Sequence, residues 1–475
     1  MQPILRFLSP EEIGKIHESA LAILSEIGMR LPAPEALEKL QEAGAEISDQ
    51  DLVKIPAGVV RKALDRVPGR ADVTLYARDP EWDVSFDAHQ PALSCMTMAT
   101  NVIDPFTNER RPASQQDLEQ LTRLADRSEN IKINGGLVTP QEVPGDYNDW
   151  YTWAACIKNT RKHITGGMYG AQCVKDAVEM ASLACGGRDK FMDRPCISGW
   201  VLTLPPLGID RESLEAMLEM GRSNICSILS SGPILGTSSP VTIAGTCAQT
   251  HAEILACITA AQLVNPGAPI VYTSFARGMD MMTGNVHMAS PEFAILKGCM
   301  AQMGHWLGMP VRMPGMLRDS KNIDAQAGFE TGMVGAVTAM NADIIDSMQL
   351  DSDLLVDFAD VVFCNECMGA LKRLSRPLNI DEKSTAMEII KEVGPGGTFL
   401  MHEHTFENYK DELWMPKLME HRTYNAWEAD GCKTISDVAR DKMREMLQEN
   451  FEPYLSGETE AQIDAIVSRA VEKTK

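Results

Sequence analysis

Positive charge is scarce in this chain: Lys and Arg total 44 against 66 for Asp and Glu, a formal net charge of -22 over 475 residues. A surface this acidic repels nucleic acid and anionic lipid, and no local basic run offsets it, so neither is an expected partner. A neutral or cationic ligand suits the field better. Long uncharged apolar runs are also missing. No stretch of about twenty apolar residues occurs that would cross a bilayer. The opening MQPILRFLSPEE lacks the basic region and apolar run of a secretory signal, and a cytoplasmic protein is expected.

Several catalytic signatures are absent as well. No G-x-G-x-x-G follows a strand-like run and no P-loop occurs, which removes the dinucleotide and nucleoside-triphosphate fingerprints. Neither H-E-x-x-H nor a nucleophile elbow is found. The twelve cysteines are scattered through apolar segments, among them Cys226, Cys247, Cys257 and Cys299, as buried reduced thiols are. Cys364 and Cys367 form one C-x-x-C. Structural zinc needs a second pair or two suitably spaced histidines, so packing is the expected role and no tightly bound metal is expected.

What is present is an ordinary globular balance, with 44% hydrophobic residues. The twenty-eight methionines include Met168, Met279, Met281 and Met282 near loop ends, either as core filler or as a pliable cavity lining. Ser9-Pro10-Glu11-Glu12 starts a helix whose apolar residues Ile13, Ile16, Ala20, Ile23, Leu24 and Ile27 keep helical spacing. Helices over about 33–43 and 56–67 follow, and residues 1–70 are expected to be a helical N-terminal extension with nothing strand-like in it. Residues 72–112 carry short runs that predict hairpins and a first core strand near Cys95–Val102.

Strand-like runs then recur at 131–139, 163–169, 196–204, 225–236, 269–275, 310–317 and 342–350, with helical patterns in each gap. Eight strand–helix alternations over about 250 residues predict a (β/α)8 TIM barrel, with a doubly wound sheet as the alternative. The α/β barrel is expected to span 71–355 and a helical C-terminal extension, packed on it, 356–475.

In such a barrel the loops after the strands converge on one face. The stretch from Pro310 to Met340 reads as a strand, a polar loop and a helix capped by Asp324, with Phe329 and Glu330 on its second turn. Tyr169, Tyr272, Phe275 and Phe329, beside Asp280, Glu330 and Asp346, suggest an aromatic and acidic cage for a quaternary ammonium. The alternative is that each aromatic packs under its own loop. His402 and His404 form an H-x-H after a Gly-rich turn, as a lid, a hydrogen-bonding pair or metal ligands.

Five separated segments carry a family resemblance: DSKNIDAQAGFE, HITGG at His163–Gly167, CNECMGALKR around Glu366, GGTFLMHEHTFENY, and WMP at Trp414–Pro416. In this order over nearly the whole chain they resemble the trimethylamine:corrinoid methyltransferase family. The resemblance implies a (β/α)8 barrel and methyl transfer from an amine to Co(I) of a separate corrinoid protein, so cobalamin carried by a cognate partner is the implied cofactor. It also implies self-association into a homo-oligomer.

One departure from the family matters. Archaeal trimethylamine enzymes carry pyrrolysine in the barrel, and this chain has only standard residues; AGFE near Gly328 is the nearest match to that position. Trimethylamine is a poor methyl donor until its nitrogen is made cationic, whereas a quaternary amine leaves as a neutral tertiary amine. The departure therefore points to a quaternary substrate, in a branch that includes enzymes for glycine betaine, proline betaine and carnitine. A betaine carboxylate needs a cationic or hydrogen-bonding group, for which Arg312, His402 and His404 are the candidates; Arg312 is alternatively a buried ion pair. The expected substrate set is Tyr169, Tyr272, Phe275, Arg312, Phe329, Glu330, Asp346, His402 and His404, with Asp319, Ser320 and Asp324 facing the corrinoid. A metal-dependent barrel hydrolase and a non-catalytic betaine-binding protein are the rival functions.

Overall fold

Eight parallel strands close into a barrel: β1 (Ala92–Ser94), β2 (Ile131–Asn134), β3 (His163–Gly167), β4 (Ile197–Leu202), β5 (Cys226–Ser231), β6 (Ile270–Ser274), β7 (Val311–Pro314) and β8 (Ile344–Asp346), which pairs back with β1. A helix follows each strand: α1 (Gln115–Arg127), α2 (Asn148–Asn159), α3 (Gly170–Ala184), α4 (Arg211–Arg222), α5 (Ile243–Val264), α6 (Pro291–Trp306), α7 (Ala325–Asn341) and α8 (Phe358–Ser375). The computed structural model describes residues 4–86, 90–96 and 98–474. Residues 1–3, 87–89, 97 and 475, which fall in the expected extensions, hairpin region and first strand, lie outside these.

Local chemistry starts the helices where the sequence signals them. Ser114, Asp210, Ser290, Asp324 and Asp357 each accept a hydrogen bond from a free backbone N–H of the first turn, at the heads of α1, α4, α6, α7 and α8. Helix α5 lacks a polar face because it is covered on both sides, by the barrel and by the N-terminal helices Pro10–Ala22, Pro34–Glu42 and Ala57–Leu64.

Three features differ from the sequence reading. The N-terminal extension contains a small antiparallel sheet of Met29–Arg30, Leu52–Lys54 and Glu46–Ser48; strands of two or three residues are too short to show an alternation. The first barrel strand is Ala92–Ser94, while Asn101–Ile103 pairs with Arg110–Pro112 and Leu355–Asp357 in a separate sheet. Helix α8, beyond residue 355, completes the ring between α7 and α1.

The two ends of the barrel differ in chemistry. A hairpin of Thr74–Leu75 and Val84–Ser85 plugs the N-terminal end, where Val73, Leu75, Val84 and Phe86 pack on Ala92, Ile133, Cys226, Ile228, Val271 and Ile344. His163 ties this plug to the wall through Tyr76 O at 2.7 Å and Ser198 Oγ at 2.9 Å. The floor is apolar, and polar groups collect toward the other end. Among the described residues no helix is long and apolar enough to cross a membrane.

Candidate active site at the barrel mouth

Strand residues two apart share a face, so the residues above the apolar floor follow from those within it. Ile228 leads to Ser230, Val271 to Thr273, Ile344 to Asp346 and His163 to Thr165, all buried. Arg312 of β7 joins them, 3% exposed, in an ion pair with the fully buried Asp346. Its Cζ lies 5.2 Å from the centroid of the Trp200 ring and its Nη2 lies 3.3 Å from Met96 Sδ. Arg312 Nε, Trp200 Nε1, Thr165 Oγ1, Ser230 Oγ and Thr273 Oγ1 have no hydrogen-bond partner among the described residues. Each such atom costs about 1–3 kcal/mol, and their convergence marks a place built to meet a polar guest.

The connection after β8 aims a second carboxyl at this cluster. Asp351, Ser352 and Asp353 all take positive φ, at 53°, 53° and 85°. Strained backbone of this kind persists only when pinned from outside. Asp351 N donates to Ser320 O and Ser352 N to Arg318 O, both at 2.9 Å. Asp353 is thereby buried facing Arg277 and Arg312, and burial pushes its carboxyl up to about 7 against the pull of both guanidiniums. Arg277 donates to Gly232 O at 3.2 Å and Phe275 O at 3.3 Å, with its Nε unpartnered among the described residues.

From Trp200 a cleft of about 1130 Å³ opens outward between the loops that follow β2, β3 and β4. Trp150, Tyr169 and Trp200 supply its aromatic faces, and Asp146, Asp149, Asp210, Glu212 and Glu215 line it with no Lys or Arg among the described lining residues. Glu215 is paired with Arg211 at 2.7 Å, and the aromatic faces with the remaining carboxylates attract a cationic guest. Trp150 is held by its Nε1–H on Asp176 at 2.9 Å. The missing side chain of Gly167 admits Asp149, whose Oδ1 would lie 3.0 Å from a Cβ there. Burial raises the Asp149 carboxyl, opposed by the backbone N–H of Tyr169. The Tyr169 phenol is raised, first by desolvation and then by Asp210 and Glu212.

The family model described as Trimethylamine methyltransferase (MTTB) matches residues 1–474. The chain belongs to this family. It is accordingly an enzyme of the methyltransferase class. Glycine betaine methyltransferase of Desulfitobacterium hafniense (strain Y51) is 30% identical, with 98% of this chain and 97% of that protein covered. Trimethylamine methyltransferase MttB of D. hafniense (strain DSM 10664 / DCB-2) is 29% identical over 94% of this chain and 90% of its own. Among solved structures, the Methanosarcina barkeri monomethylamine methyltransferase aligns with a TM-score of 0.49 at 11% identity, covering 92% of this chain and 98% of that one.

Within this MTTB-family barrel, the residues expected from sequence separate into distinct groups. Tyr169 borders the cleft, while Arg312 and Asp346 meet in the interior beneath Trp200. Tyr272 does not reach the mouth: it is buried on the outward face of β6, its hydroxyl 2.9 Å from His251 Nδ1, and His251 in turn meets His17 at 3.0 Å. Phe275 packs against Met288, Phe293 and Leu317, outside the cleft lining.

The loop after β7 is largely occupied with itself. Glu330 accepts the backbone N–H groups of Asp319 at 2.9 Å and Ser320 at 3.1 Å, so its carboxylate is satisfied at home. Asp319 accepts from Met288 N at 2.9 Å and Ser352 Oγ at 2.6 Å; Ser320 Oγ donates to Asp324, which caps α7 through Ala327 N at 2.9 Å. Phe329 turns outward from this stretch, 70% exposed. His402 caps the helix Glu403–Glu412 and His404 lies in its first turn, with Glu392 at 3.6 Å and Asn408 at 3.2 Å as their side-chain neighbours, and neither lines the cleft. Among the described residues no group of three or more His, Cys, Asp or Glu is placed to hold a metal ion.

Trp200, Asp149, Trp150, Asp210 and Asp353 escaped the sequence reading. A lone Trp inside the apolar run CISGWVLTL reads as core, and its alternation with Ser198 and Leu202 was the one available signal.

Proposed function

We propose that this enzyme moves a methyl group from a quaternary amine, glycine betaine or a related betaine, to Co(I) of a corrinoid carried by a separate cognate protein. The observation that supports it best is the position of Trp200, which borders the acidic, aromatic cleft on one side and the buried Arg312 on the other. A zwitterion matches that polarity. Its ammonium takes the aromatic faces and carboxylates, and its carboxylate takes the guanidinium.

A quaternary nitrogen leaves as a neutral tertiary amine, so the chain has no proton to deliver to the leaving group. Trp150, Tyr169 and Trp200 bind and orient the ammonium, Arg312 sets the distal end, and the closed floor keeps water away. When bound, the reduced corrinoid supplies the nucleophile. The mouth fits such a group: exposed apolar side chains surround it from different connections, with Met98 after β1, Leu204 after β4, Val241 after β5, Met282 after β6, Phe329 after β7 and Leu354 after β8. An apolar rim of this extent suits a macrocycle and the partner that carries it.

The same reading carries a cytoplasmic setting, where thiols and low-valent cobalt stay reduced. It also includes self-association through the exposed Leu400, Met401 and Phe406, to be tested by light scattering. Incubation of the purified chain with Co(I) cobalamin or its corrinoid partner is expected to yield methylcobalamin with a betaine. No transfer from glycine betaine, proline betaine, carnitine or γ-butyrobetaine would remove the proposal.

A further inference from the structure

At the end of the barrel opposite the mouth, two thiols meet beside a shielded cation. Cys185 follows α3 and Cys196 immediately precedes β4, with their Sγ atoms 3.6 Å apart. Gly186 and Gly187, at φ 77° and 131°, turn the chain into the short helix Arg188–Asp193 that brings Cys196 back to Cys185. Other residues rarely adopt such angles, so the approach is built into the backbone. Cys185 is partly accessible, whereas Cys196 is buried.

Arg78, from the plug that closes this end, supplies the charge. Its Nη2 donates to Thr160 O, while its Nε is shielded from solvent with no hydrogen-bond partner among the described residues. The guanidinium acts on both thiols, and Lys190 adds to its effect at Cys185. The pair is asymmetric. The hydrogen bond from Cys196 holds the Cys185 thiol below its ordinary range, with burial opposing and the two cations assisting. Cys196 is pushed well above that range by the same bond and by burial. Cys247 and Cys299, another interacting pair, are both buried on α5 and α6 and lack an accessible member.

We propose that Cys185 and Cys196 form a redox-sensitive dithiol that closes to a disulfide on exposure to a hydroperoxide. An accessible sulfur beside a cation, with a protonated resolving thiol in contact, is the arrangement this chemistry needs. The Cys185 thiolate attacks the terminal peroxide oxygen, the O–O bond breaks, and alkoxide, or hydroxide in the case of hydrogen peroxide, leaves and takes up a proton, giving a sulfenic acid. Cys196 then attacks that sulfur, the S–O bond breaks, the thiol proton leaves with the hydroxyl as water, and the S–S bond forms. One peroxide accepts two electrons. The site is independent of the methyl-transfer reading, because it lies at the closed end of the barrel.

The test uses the reduced full-length chain and hydrogen peroxide at stoichiometric concentration, followed by maleimide blocking under denaturing conditions and peptide mass spectrometry without reductant. The expected product is a cross-linked peptide pair joining Cys185 to Cys196, reversed by dithiothreitol, with Cys185 consumed about tenfold faster than the exposed Cys432. Cys196→Ser is expected to stop at a dimedone-reactive sulfenic acid on Cys185. Arg78→Gln is expected to slow the consumption of Cys185; should that variant fail to fold, the comparison with Cys432 in the unaltered chain decides alone. Cys185 still maleimide-labelled after oxidation, or oxidation that reaches Cys432 first, would overturn the proposal.

Discussion

The Trp200 ring lies over the Arg312 guanidinium, 5.2 Å from centroid to Cζ. The contact joins two environments of opposite sign, the carboxylate-lined cleft outside and the Arg312–Asp346 pair within. On the proposed reading, a zwitterionic guest would meet both.

Replacing Trp200 with Leu removes the aromatic face but retains an apolar side chain. Loss of about 1–2 kcal/mol of cation–π attraction corresponds to a roughly 5- to 30-fold rise in KM for the betaine. Trp200→Phe should retain part of it. Steady-state methyl transfer checks this, and an unchanged KM in the Leu variant would take Trp200 out of the site.

Arg312→Met strands the buried Asp346 carboxylate without its cation, at a cost of about 3–5 kcal/mol in unfolding free energy. The double variant Arg312→Met with Asp346→Leu should recover most of that stability without recovering activity. Urea denaturation beside the methyl-transfer assay separates the two roles; activity regained in the double variant would make the pair purely structural.

Stability near neutral pH should carry the signature of Asp353. Its folded carboxyl titrates at about 7, while an unfolded Asp titrates at about 3.9, so between these values the folded chain keeps a proton that the unfolded chain has released. Stability therefore falls as pH rises through that window, and the full penalty applies above pH 7. Asp360, raised by burial to about 6, acts in the same direction. Asp353→Asn should match the parent near pH 4 and exceed it by a few kcal/mol at most near pH 8. Urea unfolding across this range is the check, and parallel curves for the two proteins would refute it.

Glu330→Ala leaves the backbone N–H groups of Asp319 and Ser320 without their acceptor, which should cost about 1–3 kcal/mol and loosen the loop after β7. Phe329→Ala, on an exposed position, should change stability by less than about 0.5 kcal/mol while weakening association with the corrinoid protein. Thermal melts and titration with the partner distinguish the two residues.

The chain's own sequence determined the repeating strand–helix beat and the helix starts. Periodicity and capping are local properties, readable wherever a run of apolar residues or an Asp before a helix occurs; Asp324 and its cap are an example. Arg312 and Asp346 were named from the sequence separately, and the fold brings them together as an ion pair. Which strand face meets the barrel interior was not legible, because period-two alternation sorts residues into two faces without saying which one the closed barrel encloses. Closure turned Tyr272 outward to His251 and Trp200 toward Arg312. Likewise a carboxylate on a loop looks the same in sequence whether it awaits a ligand or is satisfied at home. Only the fold supplied Glu330 with two backbone N–H partners and gathered the carboxylates that follow β2 and β4 around one cleft.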